Sequence, residues 1–472
     1  MLVTPKTLLK QQAQTYLTGM LRKPAHSVVI VGGGVVGSSI AYHLSTLGVK
    51  NIVVLEKDSS YKYASAMLSA GGIRQQFSVK ENVLMSKFGA EFMKNPSQLH
   101  VEGDDVPDFQ FKENGYLFLS SSAKGLEMLQ RNNQTQRDCG VDWMDLANPA
   151  GLAARFPWLS IEGLTGGSYG LKNEGYFDPW SLLLGLKRRA IANGVEYREG
   201  TVVGAKMTSS PFVARIDSLL CQKTDGSTTE EVSGGLYVNA AGPWAGSLVD
   251  LLASRSPRPA GISPLPVKAR KRSVFLFHCK QNQGGGQVGA GAGGGADPDS
   301  EECEYPSPGV SPLVVDPSGT WFRSEGTDGS FICGTSQSAL SDNHTDLPVD
   351  ADPDHSCVTA LRSADHSLFD DLIWPALYDR VPAFGNLKLK SSWAGFYEYN
   401  TFDQNAIIGL HPEVSNLMLC NGFSGHGLQQ SPASGRAVAE LVAHGEFRTI
   451  DLKRFSFERI LNNTPIFEDG IV

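Results

Sequence analysis

The chain has 472 residues, 41% of them hydrophobic and 19% charged, with a net charge of -8. That length exceeds one ordinary core, so two or more domains are expected. The acidic balance with no long basic run argues against a nucleic-acid surface, and seven cysteines without a C-x-x-C pair and ten histidines without ligand spacing give neither a disulfide framework nor a metal site.

Residues 1–26 carry Lys6, Lys10, Arg22 and Lys23 but no Asp or Glu, with Leu, Tyr and Met at helical intervals. This amphipathic, basic leader resembles a mitochondrial presequence. The next stretch, "SVVIVGGGVVGSSIAYHLSTLGVKNIVVLEKD", is apolar enough to suggest a membrane span. A tight glycine turn between two strand-like runs has no place in one. It reads instead as a strand over 28–31, a turn, a helix over 36–47 stopped by Gly48, and a second strand. Gly32, Gly34 and Gly37 form G-x-G-x-x-G around Val36. They serve a sharp turn, close approach of the backbone to a pyrophosphate, and packing of helix on strand, while the helix-start amides face the phosphates. Glu56 follows about twenty residues on, where a carboxylate accepts from ribose hydroxyls and repels a 2′-phosphate. The unit therefore reads as a dinucleotide site that disfavours NADP.

The small residues of "SSYKYASAMLSAGGIRQQFS", including Ser69, Ala70, Gly71 and Gly72, let the backbone lie against a flat ligand. A helix over 79–94 follows, then strand-like "FKENGYLFLS" and helical segments near Leu126 and Leu152. In "NEGYFDPWSLLLGLKRRAIANG", Asp178 is the expected N-cap, Pro179 the first helical residue and Gly194 the stop. Strands are expected over 195–203 and 236–239, the latter running into the small-residue turn of "AAGPWAGSLVD". From 262 to 390 the pattern turns to antiparallel strands such as "RSVFLFH", "TWFRSEG" and "GSFICGTS". The basic cluster "KARKR", 268–272, marks either a solvated strand entrance or an anion-facing wall. The glycine-rich run over 281–302 reads as a flexible insertion, since it opens no helix after a strand. Finally "NLMLCNGFSGHGLQQSPASGRAVAELVAHG" is a strand, a glycine turn and a helix ending near Gly445. The expected architecture is α/β: a discontinuous Rossmann-type domain over 27–80, 178–261 and 391–450, an inserted, mostly antiparallel α+β substrate domain over 81–177 and 262–390, and a tail over 451–472.

These stretches resemble the glycine oxidase, sarcosine oxidase and dimethylglycine dehydrogenase family of FAD enzymes, across nearly the whole chain beyond residue 26. Five ordered segments, "LSAGGIRQQFS", "EGYFDPWSLLLGL", "LPVKARKRSVFLFHC", "SSWAGFYEYNTFDQN" and "NGFSGHGLQQSPASGRAVAEL", are similar to a mitochondrial member associated with assembly of respiratory complex I. The resemblance implies FAD and a mitochondrial home in the matrix or on the matrix face of the inner membrane. It places Gly32, Gly34, Gly37 and Glu56 at the adenosine and pyrophosphate, and Ser69 to Gly72 along the isoalloxazine. The turn of Ala241, Gly242 and Trp244 becomes a second cofactor contact. Gly422, Gly425, His426, Gly427 and Leu428 fall at the pyrimidine end, where helix-start amides favour the charge that reduction creates.

Leu68 stands where some members link flavin to histidine, and Gly395 and Phe396 stand where others use cysteine, so the resemblance implies noncovalent FAD. Gln429 replaces a lysine that holds the substrate carboxylate in sarcosine oxidases. Arg74 meets a carboxylate or packs on the flavin edge; Tyr397 and Tyr399 form an aromatic wall for an amine or belong to the core. His426 is a base, or packs and bonds to backbone; Asp403 caps a turn. Two functions stay open: a flavoprotein engaging complex I subunits or assembly intermediates, to which Gln429 leans, and a working amine or amino-acid dehydrogenase, to which Arg74 leans. An NAD-linked reductase would need a second dinucleotide unit, which the sequence lacks. The purified protein is expected to be yellow and to release free FAD on denaturation; a colourless folded preparation whose melting temperature ignores added FAD contradicts the assignment.

Overall fold

The β-branched run Val28–Val31 is buried along its whole length, as a strand covered on both faces must be. It is the centre of a six-stranded sheet in the order 407–410, 417–421, 236–239, 28–31, 52–56, 196–199. All neighbours are parallel except Ile407–Leu410, which returns antiparallel to Leu417–Asn421. The computed structural model describes residues 28–210, 212–258, 261–279, 305–336 and 361–469. The expected presequence over 1–26 and the glycine-rich insertion over 281–302 lie outside the described residues.

Helices Val35–Thr46, Pro179–Ala192 and Gly427–His444 cover one face of this sheet, and their apolar sides share a core with it. Pro179–Ala192 starts as the sequence requires: the Asp178 carboxylate accepts from the N–H groups of Trp180 and Ser181. Gly427–His444 stops at Gly445, whose φ of 77° is left-handed. The helices approach closely where a side chain is missing. A Cβ on Gly435 would sit 2.2 Å from Ser39 Oγ, and one on Gly89 of Lys80–Met93 would sit 2.3 Å from the Gln429 carbonyl oxygen.

The second layer is an eight-stranded sheet in the order 388–400, 267–278, 330–335, 320–325, 313–315, 116–120, 166–170, 144–147. Its pairs are antiparallel except for Leu313–Val315 against Tyr116–Ser120. The boundary expected at 390 falls inside the strand Lys388–Asn400, which pairs with Val267–His278 along its length and so belongs to this sheet to its end. A three-stranded antiparallel sheet, 201–209, 214–222 and 229–233, shares a second core with the parallel layer, in which Ile216 and Leu219 pack with Val29, Val31 and Tyr237.

The segment read as a tail is anchored in the core at several points, although Leu461 and Phe467 are exposed. Leu452, Phe455 and Phe457 are buried, and the Glu468 carboxylate accepts from Ser78 Oγ at 2.6 Å and Asn82 Nδ2 at 2.8 Å. Arg459 brackets Asp403 with Nε and Nη2 at 2.7 and 2.9 Å, both side chains almost wholly buried. Asp403 also accepts from the Asn405 N–H, so the expected turn cap is at the same time half of a buried ion pair. Removing one partner strands the other charge, so Arg459→Ala is expected to lower unfolding stability by about 3–5 kcal/mol, measured by urea denaturation.

Candidate functional site

The carboxyl ends of the parallel strands open toward the eight-stranded sheet, the usual ligand position in open α/β sheets. Between the layers lies one cavity of about 950 Å³, reached by both the opening glycine turn and the "FSGHG" turn. Among the residues expected at the site it is lined by Gly32, Gly34, Val36, Glu56, the 69–72 loop, Arg74, Ala241, Gly242, Trp244, Tyr397, Tyr399 and Gly425 through Gln429.

At the nucleotide end, Gly32 has φ of 101°, and a Cβ there would overlap the Ala240 carbonyl at 2.3 Å. At Gly34 an added Cβ meets nothing within 4 Å, so this backbone, one residue before helix Val35–Thr46, faces open space. Gly37 is not on the cavity. Its Cβ would lie 1.9 Å from the Gly32 carbonyl, so its bareness brings helix onto turn. Glu56 reaches back across the turn: Oε2 accepts from the Gly33 N–H at 2.7 Å and Oε1 from the Asp58 N–H at 2.9 Å. Burial pushes its carboxyl up against the pull of those N–H groups. Lys57 Nζ lies 3.3 Å from the centroid of the Trp244 ring, and Trp244 Nε1 has no hydrogen-bond partner among the described residues. A buried indole N–H at a cavity wall calls for an acceptor from a ligand.

The 69–72 loop is held from three sides. Arg323 donates from Nε to the Ala70 carbonyl at 2.8 Å; a Cβ on Gly71 would meet the Phe177 carbonyl at 2.6 Å; one on Gly72 would meet the Tyr116 hydroxyl at 2.0 Å.

Arg74 is buried, with Cζ over the Phe77 ring 4.1 Å from its centroid and Nη1 donating to the Gln76 carbonyl. Its Nη2 lies 3.1 Å from His426 Nε2, and its backbone N–H donates to Gln429 Oε1 at 2.8 Å. Burial, then the Arg74 charge, holds the His426 ring well below its usual pKa. The ring is packed edge-on to Phe77 at 4.9 Å with Nε2 toward the guanidinium, an arrangement in which a neutral imidazole accepts from Arg74. Gln429 likewise spends its carbonyl inside the protein, on Arg74 and on Ser86 Oγ at 3.3 Å.

Gly422, expected to touch cofactor, lies off the cavity. Its φ is 77°, a Cβ would press on Val267 and Asn400 at 3.1 and 3.4 Å, and its N–H donates to Glu398 Oε2 at 2.9 Å. Glu398, Lys57 and Arg323 were not among the expected residues, and Arg270 and Arg272, which also line the cavity, come from the cluster read as a strand entrance or an anion-facing wall. The basic pair had a signal, two-residue alternation in a strand; the others are set by contacts distant in sequence. The Cys420 thiol, which lines the cavity, is buried and its pKa raised, and Leu68 fills the space beside Gly395.

Glycine cradle, ribose-side acid, flat-ligand loop and helix start thus converge on one elongated cavity, the constellation of a flavin-dependent oxidoreductase. The FAD dependent oxidoreductase (DAO) family profile matches residues 27–441, and the chain belongs to that family, whose cofactor is FAD. The chain is 40% identical to the FAD-dependent oxidoreductase domain-containing protein 1 of Xenopus laevis, over 96% of this chain and 86% of that protein. It is 23% identical to the mitochondrial sarcosine dehydrogenase of Mus musculus over 91% of this chain and 41% of that one. The crystal structure of L-proline dehydrogenase from P. horikoshii superposes with a TM-score of 0.71 at 22% identity, covering 93% of this chain and 99% of that one, and shares the fold. Among the described residues no helix is long and apolar enough to cross a membrane, and no cluster is suited to hold a metal.

Burial pushes the Glu398 carboxyl up to about 8, against the pull of the Gly422 and Phe423 N–H groups. Because the folded pKa lies above the unfolded value near 4.5, the protonated acid stabilises the fold fully below that value, and the contribution is lost as pH rises to about 8. Glu398→Gln, a neutral isostere, is therefore expected to raise the melting temperature above pH 8 relative to the parent protein and to leave it nearly unchanged near pH 4.5.

Proposed function

We propose that the protein is a mitochondrial FAD-dependent dehydrogenase or oxidase that takes a hydride from the carbon of a C–N bond in a small amine or amino acid, acting in the matrix or on the matrix face of the inner membrane. The observation that carries this reading is Arg74, buried on the same cavity as the flavin-type cradle and fixed by His426 and Gln429. Gly32, Gly34 and the amides opening helix Val35–Thr46 would hold the FAD pyrophosphate, Glu56 the ribose, and the 69–72 loop with Gly425 to Leu428 the flavin ring, without a covalent bond. Bound FAD supplies the two-electron acceptor.

The chain's own residues do the rest. Arg74 brings a planar guanidinium of the kind that suits a carboxylate, and the contacts of Nη1 with the Gln76 carbonyl and of Nη2 with His426 orient it before substrate arrives. Tyr397 and Tyr399, 6.0 Å apart and edge to face, wall the cavity and exclude water. Because the His426 lone pair faces Arg74, the amine loses its proton to solvent before it reacts.

A second reading, favoured by Gln429, is a role in assembly or stability of respiratory complex I through contact with its subunits or assembly intermediates. An amide whose oxygen is already bonded to Arg74 is no substrate anchor, and a flavoprotein that serves by binding needs none.

Anaerobic mixing with sarcosine, dimethylglycine, glycine and D-amino acids tests the first reading through bleaching of the visible flavin band. Arg74→Gln is expected to raise KM for a carboxylate substrate by roughly tenfold to a hundredfold, the loss of a charged hydrogen bond worth about 1.5–3 kcal/mol, with FAD content unchanged. In cells lacking the protein, restoration of complex I by Arg74→Gln separates assembly from turnover.

A further inference from the structure

The eight-stranded sheet turns one face toward the cavity, and its register shows what that face carries. Leu313 pairs with Tyr116 and Val315 with Phe118, while Val315 also pairs with Trp321, so these five side chains share a face and one apolar cluster. Tyr116, Leu313 and Trp321 come from three neighbouring strands and line the cavity. At the usual spacing between strands the row is about 10 Å wide, enough for a ring or a branched chain. Gly334, opposite Trp321, makes room for the indole: a Cβ there would lie 2.6 Å from Trp321 Cζ2.

The row begins beside Arg74. The Arg74 guanidinium lies over Phe118, with Cζ 5.0 Å from the centroid, and Phe118 stacks on Tyr116 at 6.2 Å. The Tyr116 hydroxyl reaches the flat-ligand loop, 2.0 Å from where a Cβ on Gly72 would stand. Arg323, two residues past Trp321 on the same face, is bonded to the Ala70 and Ser324 carbonyls and to Glu325. Thr335 and Ser336, which follow Gly334, line the cavity next to the row. Such a row acts through contact area and needs no free charge, since an apolar group laid on it releases water from both surfaces. Apolar walls with a few polar anchors are the usual composition of a small-molecule pocket.

We propose that Tyr116, Leu313 and Trp321 form a side-chain subsite, so that the substrate class is an amino acid with a bulky apolar side chain and not glycine or an N-methylglycine. The amino-acid half rests on the oxidation reading; the apolar subsite stands without it.

The test uses the FAD-loaded protein, titrated at one pH with acetate, isovalerate and phenylacetate, and with succinate as a larger polar acid, read by the visible spectrum of bound flavin and by melting temperature. All the probes carry a carboxylate, so differences among them report the subsite. Isovalerate and phenylacetate are expected to bind at least tenfold more tightly than acetate, about 1.4 kcal/mol of apolar burial, and succinate is expected to gain nothing. Trp321→Ala and Leu313→Ala should each shrink the preference; FAD content reports whether each variant is folded, and the parent series needs no variant. Equal binding of acetate and the apolar acids, tighter binding of succinate than of phenylacetate, or a preference unchanged in both variants overturns the subsite. The amino-acid half is read by anaerobic bleaching with leucine, phenylalanine and their N-methyl derivatives, in D and L forms. An apolar preference with no bleaching by any amine upholds the subsite and sinks the oxidation reading. Bleaching by sarcosine with no apolar preference sinks the subsite alone.

Discussion

Two sheets that share no strand enclose one cavity because the end of one is bonded to a turn of the other. The last strand of the antiparallel sheet, Lys388–Asn400, passes beside the turn that follows Leu417–Asn421 of the parallel sheet. The Glu398 carboxyl accepts from the Gly422 N–H, the Glu398 carbonyl accepts from the Ser424 N–H at 2.9 Å, and Ser424 Oγ accepts from the Asn400 N–H at 3.0 Å. Each bond contributes about 0.5–1.5 kcal/mol net, but leaving such a group buried and unmet costs about 1–3 kcal/mol, so the junction is held chiefly by what breaking it would expose. The turn can present donors on its outer side because Gly422, Ser424 and Gly425 all have positive φ, at 77°, 49° and 96°.

From that junction the cavity takes its polarity. Backbone amides and one buried acid lie at the nucleotide end; Arg74, Arg270 and Arg272 lie toward the antiparallel sheet. A buried cation costs desolvation unless its surroundings compensate, and rings take part in that here: Phe77 and Phe118 beside Arg74, Tyr399 beside Arg270 and Tyr397 beside Arg272. Hydrogen bonds add to them, from Arg74 Nη1 to the Gln76 carbonyl and from Arg272 to the Lys271 carbonyl and the Tyr397 hydroxyl.

Rigidity comes from close approach. The helix that begins at the "FSGHG" turn is pressed against Ser39 through Gly435 and against Lys80–Met93 through Gly89, so Gln429 and His426 have little room to shift. Arg323 ties the flat-ligand loop to the middle of the antiparallel sheet. Both layers therefore set where Arg74 sits.

The opening strand, turn, helix and acid were legible because that unit is local: glycine spacing, apolar period and cap residues all lie within about thirty residues of each other. The Asp178 cap and the Gly445 stop were legible for the same reason. What the sequence left undetermined is long-range. Whether Arg74 faces a ligand or packs, that His426 is turned to Arg74, that Gly422 serves Glu398 and not the cavity, and that Arg459 and the Ile466 N–H hold Asp403 in the core all depend on partners tens to hundreds of positions away. Burial and charge at such a residue are properties of its neighbours, and only the folded chain brings those neighbours together.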